Sequence, residues 1–104
     1  MLVWMDGKGP NENIDFDIDW TTRLNGDTII SSIWTIVGTD PATPESPVTL
    51  EISSNPGPSY TGTATKVWLS GGTLGITYVL QNSINTAASE DPMTEMVELP
   101  IRNR

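Results

Sequence analysis

GITYVLQNSINT, residues 75–86, decides the fold. Tyr78, Leu80, Asn82 and Ile84 take every second position from Tyr78 onward, which is the period of a strand with one face turned to a core. A glycine stands three residues before Tyr78, and an aliphatic residue follows two positions after it. In two-sheet antiparallel sandwiches a tyrosine opens the penultimate strand, its hydroxyl ties down the preceding corner, and the residue two positions on is core.

The flanks extend this reading. GGTLG, residues 71–75, is a turn, and before it ATKVWLS (64–70) alternates with Val67 and Leu69 inward, which puts Trp68 on the opposite face. NIDFDIDW, residues 13–20, alternates without a break: Ile14, Phe16, Ile18 and Trp20 against Asn13, Asp15, Asp17 and Asp19. Asn25-Gly26 is a turn signal. TIISSIWTI (28–36) is a strand, read with Ile30, Ser32, Trp34 and Ile36 inward because that parity buries the tryptophan. VGTDPATPESP is a long proline-broken loop, VTLEI (48–52) a short strand, and SSNPGPSYTGT a loop or frayed edge. After Ile84, AASEDPM turns the chain into TEMVELPIR, with Val97, Leu99 and Ile101 inward; Pro100 assigns that strand to a sheet edge. No helical period of useful length competes. The expectation is an all-β, immunoglobulin-like antiparallel β-sandwich of about six to seven strands over residues 13–104, preceded by an N-terminal arm, residues 1–12.

Composition narrows the function. Five basic residues stand against 13 acidic ones, for a net charge of −8. The basic residues are scattered, so the expected partners include no nucleic acid. Cys and His are both absent, which removes disulfides, the usual zinc sites, thiol nucleophiles and Ser-His-Asp triads. The opening MLVWMDGKGP lacks the pattern of a signal peptide, and no apolar run reaches the ~20 residues of a membrane span, so no membrane partner is expected.

The three acids of NIDFDIDW lie ~6.6–6.8 Å apart along a strand, too far to chelate one cation together. They read as the wet side of the strand. LSGGTLG follows a strand without opening a helix, so no phosphate cradle is expected there. No catalytic residue, metal or cofactor is expected, and the chain is not expected to be an enzyme. The candidate partner-binding residues are aromatic or apolar: Leu2, Val3 and Trp4 in the arm, together with Trp68 and Tyr60. Trp4 has two readings, folded back on its own domain or docked on a partner.

GPNENIDFDIDW, LNGDTIISSIWTI, KVWLSGGTLGITYVLQN and ELPIR, in this order, resemble a family of small phage virion proteins, the fiber-tail adaptors. VWLSGGT, residues 67–73, is the most specific piece. Residues 37–63 depart from the family pattern by an insertion of about ten residues. The resemblance implies a structural component of a bacteriophage virion, a tail adaptor joining fiber and tail proteins. It also implies virion partners (tail, fiber, or portal and capsid subunits), several copies per particle, and assembly in the host cytoplasm. Two other readings stay open: a capsid decoration or head-tail joining protein, and a carbohydrate-binding module using Trp68 and Tyr60 as stacking platforms. The arm and the 37–47 loop are expected to order mainly on assembly.

Overall fold

The computed structural model describes residues 2–39, 45 and 47–103. Its elements in chain order are β1 (Leu2–Val3), β2 (Ile14–Asp19), α1 (Thr21–Leu24), β3 (Ile29–Thr39), β4 (Glu51–Ile52), β5 (Ser59–Tyr60), β6 (Ala64–Ser70), β7 (Thr77–Thr86) and β8 (Met93–Pro100). The larger sheet has the order β1-β8-β7-β3. In the smaller one β6 lies between β2 on one side and the short β4 and β5 on the other. All pairings are antiparallel except β1 on β8. Numbered from β2, this is the immunoglobulin strand order, B-E-D facing C-F-G, with the first strand laid along the last.

Parity builds the core as the pattern demands. Val67, Leu69, Tyr78, Leu80, Ile84, Val97 and Leu99 are fully buried, and Trp20 is nearly so. Asn82 shares that inner face and is also fully buried. Its side-chain oxygen accepts from Trp20 Nε1 (3.0 Å) and Thr65 Oγ1 (2.7 Å), while its amide donates to Ser32 Oγ (2.9 Å) and the Ile33 carbonyl (3.2 Å). One buried amide thus bonds residues of both sheets, as a polar group removed from water requires. The corner forms as read: Tyr78 is fully buried and its hydroxyl accepts the Thr73 N–H at 3.0 Å.

Several expectations are corrected. Ile30 is exposed, because a bulge between Ile29 and Ser31 inserts it as an extra residue; Ile29 takes the inward place, and Ser32, Trp34 and Ile36 keep theirs. The Asn25-Gly26 turn forms as read, and it closes the short α1: Asn25 is the left-handed C-cap (φ 47°), and the chain passes from the smaller sheet to the larger. The VTLEI strand shrinks to Glu51–Ile52, leaving Val48 exposed and Leu50 buried. β8 is flanked on both sides, not at an edge. Pro100 is tolerated there because the flanking segment uses its carbonyl, which accepts the Lys8 N–H at 3.1 Å.

Residues 2–8 do not stand off as a free arm. They run parallel to β8, through Leu2↔Val97, Val3↔Glu98 and the Lys8↔Ile101 bridge. Lys8 is fully buried, and its ammonium donates to the carbonyls of Gly9 (2.7 Å) and Gly71 (2.6 Å). Burial holds its pKa below the usual lysine value, with Glu12 pulling the other way. Gly71 (φ +75°) can only be glycine, since a Cβ there would collide with the Thr49 carbonyl oxygen. Much of the expected 37–47 loop, residues 40–44 and 46, lies outside the described residues; 37–39 belong to β3.

Candidate partner-binding surface

Of its two readings, Trp4 takes the first and folds back on its own domain. Its ring stacks on Phe16 at 4.7 Å and meets Trp34 at 5.9 Å, and its indole N–H donates to the Asp17 carbonyl at 3.2 Å. Phe16, expected in the core, is only half-buried, because Trp4 and not a strand covers it. The tryptophan closes the gap between the edges of β1 and β2 and stays partly accessible. Around it Leu2, Val3 and Met5 are exposed, Met5 to 75%. Val3, Trp4, Met5, Asp6 and Phe16 line a hollow of about 270 Å³. This is an apolar strip on a fixed backbone: Trp4 N–H donates to the Glu98 carbonyl (2.9 Å), and Gly7 N–H closes a turn back to the Trp4 carbonyl (3.0 Å). Met5 was missed in the sequence because it falls in no periodic segment.

The other two candidate residues lie elsewhere. Trp68 sits half-buried on the outer face of the smaller sheet, opposite Asp15 in the β2–β6 register. Tyr60 pairs with Thr65, whose side chain points inward, so Tyr60 has the opposite parity from Trp68. Its hydroxyl donates to the Ile30 carbonyl (2.7 Å), which holds it at the rim beside β3. A sugar-stacking platform needs the two rings on one open face, and they do not share one.

Two of the three acids of β2 are engaged locally. Asp15 pairs with Lys66 at 3.0 Å, which lowers its pKa, and Asp19 accepts from the Thr21 hydroxyl (2.5 Å) and N–H (2.9 Å), with the same effect. Asp17 is exposed on the same face. Among the described residues no three Asp, Glu, His or Cys side chains converge on a point that could hold a metal ion.

The strongest polar cluster is structural. Glu45 accepts from the Thr73 hydroxyl, from Tyr78 Oη (2.5 Å) and from the Thr49 N–H (3.0 Å). These donors, Thr73 first and Tyr78 second, push its carboxyl down to about 2. The tyrosine corner thereby pins one residue of the long loop.

A family model described as podophage GP4 fiber-tail adaptor protein gp77 matches residues 8–97. No curated protein and no solved structure gives a match.

Proposed function

The chain belongs to the podophage GP4 fiber-tail adaptor family, and from that premise we propose that its N-terminal strip is the surface by which it grips a neighbouring tail protein. It is a structural component of the phage virion, an adaptor of the tail. The observation that carries the assignment of the strip is the pair of exposed apolar side chains, Val3 and Met5, that line one hollow with Trp4 and Phe16, with exposed Leu2 beside them in the chain. Exposed apolar side chains on a preorganised backbone lose little entropy when a partner covers them. The strip precedes the matched residues, so its role rests on the structure and not on the family. Trp68 and Tyr60, on separate faces, are secondary contacts in this reading. The chain works in several copies per particle, assembles in the host cytoplasm and catalyses no reaction.

Complementation tests this. A phage lacking the chain is supplied with the Val3→Asp/Met5→Asp variant. Both positions are exposed, so the thermal midpoint should stay within a degree or two of wild type. Particles should nevertheless lack the chain or its attached fiber when their protein content is resolved on a gel. Normal incorporation with fibers in place would refute the assignment and move the contact to the Trp68 face.

A further inference from the structure

The hollow at the N-terminal strip is apolar within and acidic around it. Val3, Trp4, Met5 and Phe16 line it together with one carboxylate, Asp6. Asp6 is exposed, and among the described residues its carboxylate makes no hydrogen bond and no ion pair. Two more acids beside the strip are in the same condition. Glu98 lies opposite Val3 in the β1–β8 register. Asp17 follows Phe16 in β2 and holds the Trp4 indole through its backbone carbonyl, which leaves its carboxylate unpaired.

The chain's own cations are committed elsewhere. Lys8 is buried and bonded to two carbonyls. Arg23 pairs with Glu95 at 2.6 Å and lies over the Trp20 ring, and Lys66 pairs with Asp15. Of the described basic residues this leaves Arg102, which lines a different hollow with Glu12. Water alone therefore balances the acids at the strip. A partner that covers the hollow removes that water from Asp6, and a carboxylate desolvated without a cation is costly. A second copy of this chain, at net charge −8, brings the wrong sign.

We infer that the occupant of the hollow is a basic segment of the neighbouring tail protein, which seats an apolar side chain against Val3, Trp4 and Met5 and sets a cation on Asp6. The inference rests on the assignment of the strip as the tail contact and adds the chemistry of what it holds. Arginine suits the place best. Its planar guanidinium bonds a carboxylate through two N–H groups, and its stem and face pack on an aromatic ring such as Trp4. Glu98 and Asp17 extend the negative field on both sides, so the same charges that specify the partner also draw it in.

Purified chain added back to phage particles assembled without it tests this, with the bound chain resolved on a gel. Wild type should bind at about 0.02 M sodium chloride and weaken by about tenfold or more toward about 0.5 M, as the attraction is screened. Asp6→Lys should weaken binding at low salt by about tenfold or more. Glu90→Lys makes the same change of charge in the exposed turn before β8, at the end of that strand away from Val3, and should stay within about twofold of wild type. If Asp6→Lys fails to give a native circular-dichroism spectrum, Asp6→Asn reads the same carboxylate with a smaller loss. Val3→Ser/Met5→Ser removes the apolar contact at constant charge and reads the strip by itself. Loss of binding in that variant, together with unchanged binding in the Asp6 variants or indifference to salt, would overturn the basic partner and leave the strip as the contact. Full binding by Val3→Ser/Met5→Ser would overturn the strip, and this inference with it. A wild-type chain that fails to bind at low salt, or that binds more tightly as salt rises, would overturn the inference as well.

Discussion

Glu45 and Lys8 show how single polar residues fix segments that hydrophobic patterning leaves undefined. Glu45 is ionised in the folded chain down to about pH 2 because three kinds of donor surround it, with no cation among them. Its folded pKa lies below the unfolded value of 4.5, so its contribution is present above pH 4.5 and is lost as pH falls toward 2. Glu45→Gln should therefore be less stable than wild type at neutral pH. The difference in urea midpoint should shrink through the window from 4.5 to about 2; a gap independent of pH would contradict the donor cluster. Lys8 works by a different route, as a buried donor to two carbonyls. Lys8→Met keeps most of the apolar stem but orphans both acceptors, and should cost roughly 2–4 kcal/mol in urea unfolding. A loss under ~1 kcal/mol would mean that water takes over both bonds.

At the scale of elements, the N-terminal segment belongs to the sandwich energetically. Its strand is only two residues long, so most of its hold comes from Trp4 over Phe16 and Trp34 and from the bonds at Lys8. Trp4→Ala removes a half-buried ring and should destabilise by roughly 1.5–3 kcal/mol, below the ~3–5 of a fully buried aromatic. The amides of Val3, Trp4 and Lys8 should lose protection from hydrogen exchange in that variant; unchanged protection would show that the backbone holds the segment without the ring. β3 teaches a related lesson. Two bulges reset its parity, so alternation read straight through from Ile30 assigns that residue to the wrong side while placing Trp34 correctly.

Across the whole molecule, the pairings join residues distant in the chain: β2 with β6, β3 with β7, and the N-terminal segment with β8. The Asn82 amide and the Lys8 ammonium bond across these joins. No part except the β7–β8 pair is built mainly from neighbours in sequence, so the domain should unfold as one unit. Tryptophan fluorescence, which reports on Trp4, Trp20, Trp34 and Trp68, and far-ultraviolet circular dichroism should give the same midpoint in guanidinium. An early fluorescence transition would mean that the N-terminal segment and Trp4 leave before the sheets open. Such non-local topology also places refolding toward the slow end, milliseconds to seconds.

By itself the sequence determined the strands whose alternation is long: residues 64–70, 77–86 and 93–100, their inward faces, and the corner at Tyr78. Period-two burial is a local signal, because each residue's face follows from its neighbour's. It also carried the family resemblance, since VWLSGGT joins a strand to the turn before that corner. Only the tertiary structure decided the rest. Met1–Glu12 has no period, and whether such a segment stays free depends on what lies beside β8, which residues 93–102 reveal only once folded. Bulges leave no mark in composition, so Ile30 could not be assigned from alternation. The separation of Trp68 from Tyr60 and the gathering of Val3 and Met5 with Trp4 and Phe16 are both facts of strand order. Strand order is set by pairings between residues far apart in the chain, and a single sequence carries no local record of them.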